Sequence, residues 1–206
     1  MNVHKIYRPF LKFFRRRRMK KFQKEFGINP TTKILDVGGG FFNWSLISNL
    51  PRPIVVNIKM PRGKDATMTW IIADGKALPF ADKSFDIVYS NSVIEHLGTL
   101  ENQMLFAKEC RRVGNRYYVQ TPYRWFPIEP HFLTPFIHFF PKKIQRKLIR
   151  YTVWGLITKP SDQETENILQ EIRLLGKKDL HRLFPDADIW HEKFMGLTKS
   201  LIAIRK

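Results

Sequence analysis

The chain has 206 residues, 43% hydrophobic and 26% charged, which suits one globular domain with a sizeable core. Lys and Arg number 36 against 18 Asp and Glu, and the net charge of +18 favours polyanionic partners: nucleic acid, an anionic membrane surface or phosphorylated substrates. No apolar run reaches the roughly 18 residues of a membrane span, and the single cysteine, Cys110, excludes an internal disulfide and fits a reducing, cytoplasmic compartment.

Residues 1–25 form a basic, aromatic arm with ten Lys or Arg against one acid. No clean apolar stretch follows its basic start, as a secretory signal requires, and no serine precedes Ser45, unlike a transit peptide. Phe10, Leu11, Phe14, Met19 and Phe22 recur at roughly helical spacing around Arg15–Arg18. The arm reads either as an amphipathic helix on an anionic membrane or as a helix that packs its aromatic side on the domain.

From residue 33 the chain alternates. Strands are expected at Lys33–Val37, Ile54–Ile58, Trp70–Ala73, Phe85–Ser90 and Arg116–Gln120, with helices at Asn43–Leu50 and Leu100–Arg112. Short apolar runs between helical segments predict an α/β domain over 26–206 with a mostly parallel, seven-stranded sheet and helices on both faces. After Pro122 the alternation stops. Residues 122–160 hold six prolines and many aromatics, and read as an insertion of short helices between turns. A helix at Lys177–Leu183 and an antiparallel pair of strands at Ala187–His191 and Lys199–Ile204 complete the prediction.

The most informative segment is Ile34-Leu35-Asp36-Val37-Gly38-Gly39-Gly40, an apolar strand ending in an acid and a glycine turn. Glycines allow a tight strand-to-helix turn and close approach of a ligand to the backbone. The turn lies at the carboxyl end of the first strand, where open α/β sheets bind ligands. The run has neither a P-loop lysine nor the last glycine of a dinucleotide fingerprint, since Asn43 stands there. Further along come Ala73-Asp74-Gly75 and Asp86-Ile87-Val88-Tyr89-Ser90-Asn91-Ser92-Val93-Ile94-Glu95-His96.

In order and spacing these segments resemble the class I S-adenosylmethionine (SAM)-dependent methyltransferases, type 11 group, from about Lys33 to Pro122 and again from Lys177 to Ile204. The resemblance implies a Rossmann-like fold and SAM as cofactor. It implies that Asp36, Gly38 and Gly40 wrap the methionine part, that Asp74 with Gly75 receives the adenine amino group, and that Asn91 and Ser92 lie beside the methionine moiety. Asn57 stands where the family usually has an acid for the ribose, and Phe42 where it often has a third glycine. These two departures motivate a non-catalytic SAM-fold protein as an alternative.

Methyl transfer from a sulfonium needs alignment above all, and a general base only where the acceptor loses a proton as it attacks. The run Tyr123-Arg124-Trp125-Phe126-Pro127-Ile128-Glu129-Pro130-His131 follows the fifth strand. His131 is the candidate base and Glu129 its orienter, with Tyr123 and Arg124 as substrate contacts. Asp86 and the pair Glu95-His96 read as structural. The six histidines show no metal-ligand spacing, and no metal is expected. The expected acceptor is a small molecule, glycan or lipid-linked compound, with peripheral contact to anionic membrane. RNA is the alternative acceptor, disfavoured because no RNA-binding module and no Asn-Pro-Pro-Tyr-type run is present.

Overall fold

The computed structural model describes residues 8–46, 51–60 and 68–206. Five parallel strands form around short runs of aliphatic and aromatic residues: β1 (Ile34–Val37), β2 (Ile54–Asn57), β3 (Thr69–Ile72), β4 (Phe85–Asn91) and β5 (Gly114–Pro122). Two more, β8 (Asp188–Phe194) and β9 (Leu197–Arg205), finish the sheet, and β9 lies antiparallel to both β5 and β8. The strand order is β3-β2-β1-β4-β5-β9-β8. The seven-stranded, mostly parallel Rossmann-like sheet expected from the sequence is the one found. The glycine turn follows β1 into α2 (Phe41–Trp44); the rest of the helix expected there, residues 47–50, lies outside the described residues.

Alternate residues of a strand face opposite sides, so each central strand feeds two cores. Leu35, Val37, Val88, Tyr117 and Val119 pack with α3 (Leu100–Val113) and α7 (Lys177–Leu183) on one face. Ile34, Ile87, Tyr89, Tyr118 and Ile202 face the other way, and α1 (Arg8–Phe26) covers them with Met19, Phe22 and Phe26. Phe22 lies fully buried against Tyr89 and Tyr118, at ring-centre distances of 4.9 and 5.2 Å. Burying one such ring is worth about 1.5–3 kcal/mol, so several per helix anchor the arm firmly. Phe14, Met19, Phe22 and Phe26 of the arm therefore pack on the domain, while Phe13, Arg16, Arg17, Lys20 and Lys24 stay exposed; the side chains of Phe10 and Leu11 lie outside the described residues.

The insertion leaves the carboxyl end of β5. It contains the hairpin of β6 (Ile128–Glu129) and β7 (Thr134–Pro135), then α4 (Lys142–Leu148), α5 (Val153–Thr158) and α6 (Asp162–Glu171). Phe132, Ile137, Ile149, Leu169 and Ile172 form its own small core. Leu169 belongs to α6, so the unit read from the sequence as 122–160 continues through that helix. Ser161 starts α6 with a capping box, its hydroxyl accepting from the Glu164 N–H while the Glu164 carboxylate accepts from the Ser161 N–H.

Candidate functional site

The loops after β1, β2, β3 and β4 converge at the carboxyl edge of the sheet. They enclose a cleft of about 480 Å³ lined by Gly38, Asn57, Asp74, Gly75, Ser92, Val93, His96 and Glu171, among others. Its shape begins with the glycine turn. Gly38 has φ +74°, and a Cβ there would meet the Val93 side chain at 2.6 Å. Gly39 leaves even less room, since a Cβ would lie 1.8 Å from the Asp36 carboxylate. Only glycine lets the turn fold over that acid.

Asp36 itself is fully buried and does not line the cleft. Trp44 donates its indole N–H to Asp36 Oδ2 at 2.7 Å, while Oδ1 has no protein partner. Burial pushes the carboxyl up to about 7 against the pull of Trp44 and Arg15. Asn57 donates to the Gly39 carbonyl at 3.2 Å and so holds the turn from below. Asp74 presents a half-exposed carboxylate to the cleft; its Oδ1 also accepts from the Lys76 N–H. Gly40 stands apart from the cleft lining.

Asn91 and Ser92 divide at the end of β4. Asn91 turns toward the arm, where Arg18 donates to its Oδ1 at 2.7 Å, and the Asn91 amide nitrogen is buried without a protein partner. Ser92 adopts φ +57°, a conformation that costs a non-glycine residue energy and clusters at functional sites. Its hydroxyl donates to Gln120 Oε1 at 2.9 Å. Ser92 also lines a second cleft, of about 290 Å³, walled by Tyr123, Phe126, Ile128, Leu133 and Phe194, with Arg15, Arg18 and Lys199 among its lining residues. The buried Glu192 carboxylate lies 3.3 Å from Arg18 and 3.9 Å from Lys199. Burial lowers Lys199 to about 8. Among the described residues, three cations line this cleft, and Glu192 pairs with two of them. Sequence reading did not single out Arg18 as a site residue; the packing of α1 brings it to this cleft.

The pair singled out in the insertion is joined: His131 Nδ1 lies 2.6 Å from Glu129 Oε1. Glu129 is buried, and its Oε2 accepts from the Phe132 N–H. Burial pushes His131 down, yet the hydrogen bond and charge of Glu129 outweigh it and hold the imidazole above its usual value. The other His131 nitrogen belongs to a side chain that itself lines neither cleft. It meets His96 Nε2 at 3.1 Å, and His96 Nδ1 in turn meets Glu171 at 2.8 Å. Beside them the fully buried Glu95 accepts from Thr121 through Oε2. Of the two expected substrate contacts, Tyr123 lines the second cleft, whereas Arg124 lines a separate cavity with Glu129, His138 and Lys142. Asp86 is structural, accepting from the Lys33 N–H at 2.8 Å.

Comparison with known proteins adds three findings. Residues 53–116 match a family model described as "Methyltransferase domain". A Mycobacterium tuberculosis (strain H37Rv) protein, "Uncharacterized protein Rv1509", is 33% identical over 85 residues, which cover 41% of this chain and 28% of that protein. This chain thus spans little more than a quarter of that curated relative. Solved structures share the fold: PH0226 of Pyrococcus horikoshii (TM-score 0.55, 17% identity, 90% of this chain and 85% of that one) and BH2331 of Bacillus halodurans, provisionally described as a methyltransferase (0.51, 15%, 85% and 70%). So does a Rhodobacter sphaeroides protein provisionally described as a zinc-dependent alcohol dehydrogenase (0.60, 14%, 91% and 87%). At such identities the likeness is one of fold.

The cofactor implied by this resemblance fits the residues present. The cleft volume suits a small-molecule cofactor, and the half-exposed Asp74 carboxylate offers an acceptor in its wall. Residues 53–116 thus match a methyltransferase domain, and the strand order and the cleft at the sheet's carboxyl edge agree with the resemblance to the class I methyltransferases, which implies S-adenosylmethionine as the cofactor.

Proposed function

We propose that the chain methylates an acceptor with an apolar body and an anionic group, met at an anionic lipid surface. The observation that carries this reading is the second cleft, apolar in its walls, with three cations in its lining, and joined to the cofactor cleft at Ser92. When bound, the cofactor supplies the methyl group and its leaving group. The chain must then hold two ligands in line and keep water out. Tyr123, Phe126 and Leu133 are suited to the apolar body, and Arg15, Arg18 and Lys199 to the charge. Asp36 and Asn57 act on the cofactor side by fixing the glycine turn, and Ser92 with Gln120 forms the seam.

The lipid side of the reading rests on the insertion rather than on the arm. Ile144 and Leu148 of α4 are four residues apart and exposed, with Lys143 and Lys147 beside them at the same spacing. Tyr151 is 71% exposed and Leu156 63%, and Trp125 stacks with Phe139 at the surface. Aromatic and aliphatic side chains among exposed bases suit an interfacial anchor, in which each base near an anionic surface adds about 1 kcal/mol. Among the described residues no helix is long and apolar enough to cross a membrane.

Incubation with labelled SAM and fractionated cell extract tests the proposal. Label in an anionic, organic-soluble product supports it. Label confined to RNA, or none in any fraction, overturns it.

A further inference from the structure

The side chains of Glu95, His96 and His131 converge although the sequence separates His96 from His131 by 35 residues. Each imidazole has a carboxylate on its Nδ1: Glu129 on His131 and Glu171 on His96. A carboxylate acceptor fixes the proton on Nδ1, which leaves Nε2 of a neutral imidazole as a lone pair. Two such lone pairs therefore face each other at 3.1 Å, in repulsion unless something positive lies between them. The fully buried Glu95 stands beside them with Oε1 unpartnered. One donor atom from each of the three residues lies within 4.8 Å of the others.

We propose that Glu95, His96 and His131 bind a divalent transition-metal ion of the zinc type. Two imidazoles and a carboxylate are a common zinc donor set, and a carboxylate behind each histidine is the usual support for such ligands. Ring placement agrees. Nitrogens 3.1 Å apart on one ion, at about 2.1 Å each, put the ring centres about 4.8 Å apart. The observed separation is 4.7 Å, whereas a collinear N–H···N bond would need about 5.4 Å. A proton shared by the two imidazoles would relieve their repulsion but leave Glu95 Oε1 without a partner; an ion drawing in the Glu95 carboxylate as its third ligand would answer both. Because His96 lines the cofactor cleft, the ion would sit in its wall and tie the insertion to the turn after β4. The inference stands independently of the acceptor.

The test uses the full chain, freed of any affinity tag and stripped with chelator. Titration with zinc, followed by calorimetry and by the visible bands of substituted cobalt, is expected to give one ion per chain. His131→Ala should abolish binding. Glu171→Gln, at an exposed position that leaves the fold intact, should weaken it by about 10–100-fold. Folded wild type that binds no zinc, or stoichiometric binding indifferent to both substitutions, overturns the proposal. Imidazole nitrogen resonances that titrate as one shared proton would then account for the close approach.

Discussion

Asp36→Asn isolates the cost of folding a glycine turn over a carboxylate. The acid is fully buried, with Trp44 on one oxygen and nothing on the other. An amide of the same shape keeps the Trp44 bond through its oxygen. Burial raises the folded pKa to about 7 from the ordinary 3.8. Below pH 3.8 the side chain is neutral in both states, and its burial carries no ionisation cost. Between the two values the unfolded state is ionised and the folded state is not, so stability falls by about 1.4 kcal/mol per pH unit. Above about 7 the loss levels off near 4 kcal/mol. Urea unfolding of both proteins at pH 5 and pH 8 reads the difference, because every other titrating group is common to the pair and cancels. The advantage of Asn over Asp should grow by about 3 kcal/mol between those two pH values. Parallel stabilities at both pH values would refute the reasoning and mean that Asp36 is solvated or paired in the folded state.

Phe22→Ala should cost about 3–5 kcal/mol in the same urea assay, because it empties a site between Tyr89 and Tyr118; an arm detached from the domain would give almost no change. Gly38→Ala forces a side chain into φ +74° and onto Val93, and should destabilise by about 1–3 kcal/mol while weakening cofactor binding. Lys143→Glu with Lys147→Glu should release the chain from anionic vesicles in flotation, whereas neutralising Arg16 and Arg17 on the arm should change less. Equal flotation of all forms would remove the insertion's lipid role.

The parallel sheet was legible because its strands are built on short apolar runs separated by polar and glycine-containing turns, as at Ile34–Val37 and Phe85–Asn91. The glycine turn and Asp74 were legible as motifs, and they share a cleft because the topology gathers the carboxyl ends of parallel strands at one edge. Asp36 and Asn91 were legible as positions but not in their orientation: one turns under the turn to Trp44, the other toward Arg18. Arg18 carried a faint signal, since Phe14, Arg18, Phe22 and Phe26 recur every fourth residue and a single arginine on an apolar stripe needs a buried partner. The Ser161–Glu164 capping box stood in the sequence and announced α6, but the prolines before it masked the helix. The convergence of Glu95, His96 and His131 had no local signature, because it depends on how the insertion folds back over the turn after β4.

Calorimetric titration of SAM into the wild type and Asp74→Ala decides whether the cleft is a cofactor site. Saturable binding of one SAM per chain is expected, weakened by roughly 10–100-fold when the Asp74 acceptor is lost, with the fold unchanged. A folded wild type that takes up no SAM, or an Asp74→Ala protein that binds it equally well, would contradict the assignment of the cleft.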